Sequence, residues 1–342
     1  MGYNLNMIFF ILALLNLILV LNLSKFSKIF NIYDIPDGKL KLHKKKTPII
    51  GGIILIINFS IIFFYQIFFL KNFLSLKLEI FHSLELLSLI ILIYSYFFLG
   101  LYDDKYNLKP LNKLFLSILI ILITTGINKN LIITNFTLSF YDSRIFFENS
   151  SIIFTIFCIL ILINALNFYD GVNGQCCLIF IVFFIYLLFV SHLNFFYLFC
   201  IILILIVMYL NFQNMLFLGD SGVYLLSIIL SISLIYEYNI HKNIVYADEI
   251  FFLLLLPGFD LLRLTINRSL NSKSPFLGDR QHIHHLLIDK YSLVYSNIIL
   301  FFLSILPIIL FIFFKLNFFL TFSIFFIIYV FLIKFLKSSG KK

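Results

Sequence analysis

Residues 151–174 read SIIFTIFCILILINALNFYDGVNG. The stretch begins as an almost unbroken apolar run and ends in Asn164, Asn167, Asp170, Gly171, Asn173 and Gly174. The apolar part lacks the two-residue alternation of a barrel strand, and only helices or closed barrels satisfy their backbone in lipid. It therefore reads as a membrane-spanning helix, with the amide and carboxylate groups placed where the chain leaves the hydrocarbon. Similar runs recur along the chain, and a helix needs about 20 residues to cross a bilayer. Spans are expected near 7–23, 49–70, 84–100, 114–127, 151–166, 176–191, 195–210, 223–236, 250–262, 297–314 and 317–336. The expected fold is an all-α polytopic membrane protein, a bundle of about 10–11 transmembrane helices, forming one domain over 1–342.

Composition agrees. Of 342 residues, 62% are apolar and 12% charged, with a mean hydropathy of +1.08. Soluble domains run near 25% charged. The abundance of Phe, Ile, Leu, Asn and Lys, with no Trp, fits an AT-rich coding sequence. The net charge of +9 is accounted for by membrane topology, so no nucleic-acid partner is expected. Cys158, Cys176, Cys177 and Cys200 lie in apolar runs and read as small core hydrophobes. The run 7–23 has neither a basic start nor a small-residue cleavage site, so it reads as a span rather than a signal peptide.

Basic residues orient the bundle. The loops 24–48, 101–113, 167–175, 211–222 and 263–296 and the C-terminal tail hold 19 of the 25 Lys and Arg residues. That side is expected to be cytoplasmic, with the N-terminus outside and the C-terminus inside. All five Glu residues fall on the other side, whereas Asp34, Asp37, Asp103, Asp104, Asp170, Asp220, Asp260, Asp279 and Asp289 gather on the basic side. Short carboxylates on one face suggest a defined polar site. The outer loop 128–150 alternates weakly, as a small hairpin would.

Five inner loops carry the polar chemistry. The first, YDIPDGKLKLHKKKTPIIGG (33–52), combines Asp34, Pro36, His43, Pro48 and Gly51-Gly52 with Lys44–Lys46, which also suit anionic lipid heads. In GLYDDKYNLKPLNK (100–113), Asp103 and Asp104 repel unless a cation lies nearby or one is protonated. They suit Mg²⁺ and phosphate chemistry, with Lys105 and Lys113 as further positive charge. In NALNFYDGVNG (164–174), Asn164, Asn167 and Asp170 would share a helix face and read a nucleobase or ribose. The glycines would bring backbone N–H groups to a ligand. In FLGDSG (217–222), Asp220 can cap the following helix or bind metal. The last, GDRQHIHHLL (278–287), places Arg280, His282, His284 and His285 together. This spacing is unlike a zinc helix and fits phosphate oxygens better. If helical, it turns His282 and His285 one way and His284 another.

Taken in order, these motifs resemble the polyprenyl-phosphate N-acetylhexosamine-1-phosphate transferases of glycosyltransferase family 4. The pieces are Asp34-x-Pro36…His43…Pro48…Gly51-Gly52, Asp103-Asp104-x-x-Asn107, Asn164-x-x-Asn167-x-x-Asp170-Gly171-x-x-Gly174, Gly219-Asp220-x-Gly222 and His282-Ile283-His284-His285. The resemblance implies transfer of an N-acetylated amino-sugar 1-phosphate from a UDP-sugar to undecaprenyl phosphate. UMP is released, in the first membrane step of a cell-surface polysaccharide such as the O-antigen of lipopolysaccharide. It implies Mg²⁺ (or Mn²⁺), a bacterial inner membrane with the site on the cytoplasmic face, and a chain that can form a homodimer. It also implies roles. Asp103 would lie near the lipid phosphate as base or metal organiser with Asp104 beside it, and Asp220 would be a Mg²⁺ ligand. Asn164, Asn167, Asp170 and Gly171 would contact the donor. His282, His284 and His285, with Arg280, Lys113 and His43, would hold phosphate or sugar groups. Asn173, where many members have a second Asp, and Val223, where Ser is usual, leave the sugar open. The His-Ile-His-His form departs from the muramoyl-pentapeptide branch.

Two readings compete. An intramembrane aspartyl protease would use the LYDD and FLGDSG acids but leaves the Asn-rich loop and the His cluster idle. A cation-coupled transporter would place its acids near the bilayer midplane, whereas here they cluster at one interface.

Overall fold

The structure is a computed structural model describing residues 2–36, 46–65, 72–73, 76–77, 83–191, 194–272 and 281–338. Its contacts divide the chain into two compact units, residues 1–129 with 192–229 and residues 130–191 with 230–342.

The first unit contains α1 (Gly2–Leu21), α2 (Leu23–Phe30), the two-residue strands β1 (Tyr33–Asp34) and β2 (Thr47–Pro48), and α3 (Gly51–Tyr65). The strand pair β3 (Asn72–Phe73) and β4 (Leu76–Lys77) follows, then α4 (Ser83–Tyr106) and α5 (Pro110–Ile127). After the interruption come α8 (Asn194–Phe212) and the first half of α9 (Gly219–Asn239). A reciprocal polar contact crosses its apolar interior. Asn16 on α1 and Asn58 on α3 exchange side-chain hydrogen bonds of 2.8 and 3.1 Å. Each also donates to the carbonyl four residues earlier on its own helix. The reciprocal pair satisfies both amides where neither can reach water.

The second unit contains the hairpin β5 (Asn135–Leu138) and β6 (Tyr141–Phe146), α6 (Ser151–Phe168), α7 (Gln175–Val190) and the second half of α9. It continues with α10 (Ala247–Leu253), α11 (Leu255–Leu270), the short α12 (Ile283–Ile288), α13 (Leu293–Ile308) and α14 (Phe318–Ser338). The hairpin expected in 128–150 is present, and acids pin its surroundings. Asp248 accepts Ser139 N–H at 2.5 Å, and Glu237 accepts Ser191 Oγ–H and Asn243 Nδ2–H at 2.5 and 2.7 Å. Glu249 accepts Tyr186 O–H at 2.8 Å and closes a capping box at the start of α10.

Among the described residues, seven helical segments are long and apolar enough to cross a membrane, and eight if α1 and α2, bent by 77°, count as one span. The apolar helices α3 and α7 are shorter. The expected fourth span, 114–127, in fact begins at Pro110, whose fixed φ suits the first helical position. The expected ninth, 250–262, is corrected. It is divided at Leu254 between α10 and α11, and α11 carries Asp260, Arg263 and Arg268, too polar for a long apolar span.

Candidate functional site

In the first unit, glycines bring three chain segments into contact. Phe217 N–H donates to Pro48 O (2.9 Å), and Gly51 and Gly52 N–H donate to Phe217 O and Leu218 O (both 3.0 Å). A Cβ on Gly52 would lie 2.4 Å from Gly222 N, and one on Gly100 of α4 would lie 2.5 Å from Asp220 O. Gly219 has φ +75°, and a Cβ there would meet Ile49 Cγ2 at 2.3 Å. Backbone can pack this closely only where no side chain intervenes.

The polar last turn of α4 then meets the start of α9. Asp104 accepts Asp220 N–H at 2.7 Å on Oδ1 and Ser221 N–H at 3.0 Å on Oδ2. Asp104, not Asp220, is therefore the residue that caps α9. Asp103, 2% exposed, accepts Leu108 N–H on Oδ1 at 2.8 Å. Asn107 adopts a left-handed φ of 51°, and Pro110 starts α5 four residues after α4 ends. The chain thus reverses sharply and returns Lys113 to Asp103, with which it forms an ion pair through Oδ2. Lys113 Nζ also lies 3.6 Å from Asp220 Oδ2. Two carboxylate oxygens from different helices converge on one ammonium group. Carboxylate oxygens are the donors that Mg²⁺ or Mn²⁺ prefers.

In the second unit, Asn164 and Asn167 lie on α6, but Asp170 does not continue their face. The helix ends at Phe168, and Tyr169 and Asp170 N–H turn back to Leu166 O and Asn167 O at 3.1 and 3.2 Å. Such tighter bonds close a helix end, and Asp170 and Gly171 stand exposed beyond it. Asn164 Nδ2 donates to Leu160 O on its own helix.

The histidines form a layered cluster. His282 lies outside α12 as its N-cap, with ψ 149°, so the helical expectation fails there. Its ring stacks on His284, not beside His285, with centroids 5.2 Å apart and planes 6° apart. His284 lies 4.3 Å from the half-buried His285 ring. His284 is 1% exposed, and neither of its ring nitrogens has a hydrogen-bond partner among the described residues. Its Nε2 stands 2.5 Å from where a Cβ on Gly171 would be, so residue 171 must be glycine for this ring to fit. Burial, then the neighbouring His285 and His282, push the His284 imidazole well below the ordinary histidine range. It is therefore neutral near pH 7.

Sequence reasoning gave Asp260, Arg263 and Tyr329 no role. Asp260, buried on α11, lies 2.9 Å from His282 Nδ1, and accepts Arg263 Nη2–H at 2.6 Å and Tyr329 O–H at 3.2 Å. The three-residue spacing of Asp260 and Arg263 in an otherwise apolar segment was the available signal. Asp260, His282 and His284 offer ligand atoms within 4.8 Å of one another. His43 and Arg280 lie outside the described residues.

Residues 86–237 match the family model of glycosyl transferase family 4, the family that the motifs resemble. That family comprises polyprenyl-phosphate sugar-1-phosphate transferases, which generally depend on a divalent metal. The match covers the Asp103–Asp104, Asn164–Gly174 and Gly219–Asp220 motifs, whereas Asp260 and the histidines lie beyond it. No curated protein matches the chain.

Proposed function

We propose that the protein transfers an N-acetylated amino-sugar 1-phosphate from a UDP-sugar to undecaprenyl phosphate and releases UMP. The observation that carries this reading is the convergence of Asp103 and Asp220 on Lys113, inside the segment that matches the family. An oxygen of the lipid phosphate attacks the sugar-bearing phosphorus of the donor, a P–O bond forms, and the bond to UMP breaks. Catalysis of such a transfer is mostly positioning and charge neutralisation.

Asp103 and Asp220 would hold a divalent cation, Mg²⁺ in our reading, which would supply charge neutralisation of the diphosphate, with Lys113 as a second positive charge. Asp104 works at one remove, by holding the first turn of α9. His284, being neutral, donates one hydrogen bond to a phosphate oxygen, and His282 and His285 contact neighbouring donor groups. Asn167 and Asp170 contact the nucleoside, with Asn164 and Gly171 beside them. His43 and Arg280 are assigned to substrate phosphates on their motifs alone. The basic loops support a site on the cytoplasmic face of a bacterial inner membrane.

The test incubates membranes carrying the protein with undecaprenyl phosphate and a panel of UDP-sugars. UMP release that requires both substrates and Mg²⁺ is expected. Release without lipid phosphate, or no product with any amino-sugar donor, defeats the reading. A C-terminal reporter active only outside the cytoplasmic membrane defeats the sidedness.

A further inference from the structure

We propose that Asp260 is the positioning residue of His282. The carboxylate fixes the ring as the tautomer protonated at Nδ1, which leaves the unprotonated Nε2 as an acceptor for a hydroxyl or amide N–H of the substrate. The inference rests on the contact with the sugar donor given to His282 above.

Asp260 is 1% exposed, and every contact the structure gives it comes from a donor. His282 Nδ1 lies 2.9 Å from Oδ2. An ionised carboxylate only accepts hydrogen bonds, so the ring nitrogen that faces it must carry the proton. Ile283 N–H reaches the same carboxylate at 3.2 and 3.3 Å, so one anchor sets both the His282 ring and the first residue of α12. Because His284 sits on α12 and stacks on His282, its place is registered to the same carboxylate.

The anchor is itself held. Arg263 Nη2 donates to Oδ1 at 2.6 Å and also to Gln281 O at 2.6 Å. Tyr329 O–H donates to Oδ1 at 3.2 Å and accepts from Arg263 Nε at 3.0 Å. The carboxylate can neither rotate nor leave without breaking this set.

The close spacing of Asp260, His282 and His284 also suits a metal ion. Two observations favour the hydrogen-bonded reading. Arg263 already places a cation on the carboxylate, and His282 Nδ1 stands at hydrogen-bond distance from it.

The experiment uses the full-length protein in lipid nanodiscs with ¹⁵N-labelled histidine. His282→Gln serves to assign the His282 resonances among the seven histidines. Wild type is expected to show His282 protonated at Nδ1. Protonation at Nε2 alone overturns the proposal and needs no second variant. In Asp260→Asn the preference is expected to weaken or reverse, and an unchanged tautomer overturns it. Turnover gives an independent reading. Asp260→Asn is expected to lose about 10- to 100-fold, the usual effect of a group that orients a functional histidine. The double variant Asp260→Asn/His282→Gln is expected to be no slower than His282→Gln alone, because a residue acting only through His282 has nothing left to act on. Losses that multiply overturn the proposal. So does a stoichiometric transition metal that co-purifies with wild type and is missing from Asp260→Asn. If wild type transfers no sugar phosphate at all, the functional reading fails, while the tautomer measurement still decides the role of Asp260.

Discussion

Asp104 caps the helix that begins at Gly219 and carries Asp220. Its oxygens accept the N–H groups of Asp220 and Ser221 at 2.7 and 3.0 Å. The adjacent acids of α4 thus differ in task, since Asp104 engages the backbone of α9 while Asp103 takes Leu108 N–H just beyond its own helix and pairs with Lys113.

That difference separates two variants. Asp104→Ala should destabilise the protein by about 1–2 kcal/mol, the usual cost of losing a helix cap. Its melting temperature and turnover should fall together. Asp220→Asn should keep the wild-type melting temperature, abolish turnover, and show no recovery at low Mg²⁺. Normal activity of Asp220→Asn at low Mg²⁺ removes that residue from the cation site.

The glycine contacts predict a contrast within one unit. Gly52→Ala or Gly100→Ala places a methyl group 2.4 or 2.5 Å from backbone atoms of the α9 start, so either should sharply reduce activity and thermal stability. Gly126→Ala meets nothing within 4 Å. It lies in α5, where alanine is favoured over glycine by about 0.5–1 kcal/mol, and it should be neutral or stabilising. Equal tolerance at all three positions would remove the close-approach argument.

His284 predicts a pH dependence of stability. Its native imidazole resists protonation, whereas the unfolded chain takes up a proton near the ordinary value of about 6.5. Below that pH the unfolded state binds more protons, so stability is complete above it and declines as pH falls. The slope from this group is at most about 1.4 kcal/mol per pH unit. Melting temperature should drop between about pH 7.5 and 5.5, and His284→Gln should flatten the drop. A slope unchanged by the substitution would disprove the assignment.

The Asn16–Asn58 exchange predicts non-additivity. Asn58→Leu strands a buried amide, so the melting temperature should fall. Adding Asn16→Leu should restore much of the loss, because removing both partners leaves nothing unsatisfied. Additive losses would show that the two amides act independently. The effect should be modest, since side-chain hydrogen bonds in membrane proteins average about 0.6 kcal/mol.

The spans were legible wherever apolar runs stood between polar loops, and so was the hairpin in 128–150. Residues 250–262 misled because their apolar content hides a helix break at Leu254 and the buried Asp260, which pairs with Arg263 just beyond the run. At the site, the sequence displayed which residue types gather at the loops but not which atoms meet. Asp104 and Asp220 looked alike as acids at helix ends, and only the approach of segments 116 residues apart makes one the cap of the other. The helical expectation for His282 failed because its backbone is extended, so the ring turns toward Asp260 and stacks on His284.

The cap also has a temporal side. Asp104 leaves the ribosome 116 residues before the N–H group it will accept, and at about 5–20 residues per second that gap is roughly 6–23 s of synthesis. In the interval the helix end bearing Asp103 and Asp104 must wait with its α9 partner unmade, while residues 130–191, which belong to the other unit, enter the membrane. Closure of the acidic cluster is thus a late step of biogenesis. A chain stalled before Gly219 would leave Asp104 with neither of its α9 donors.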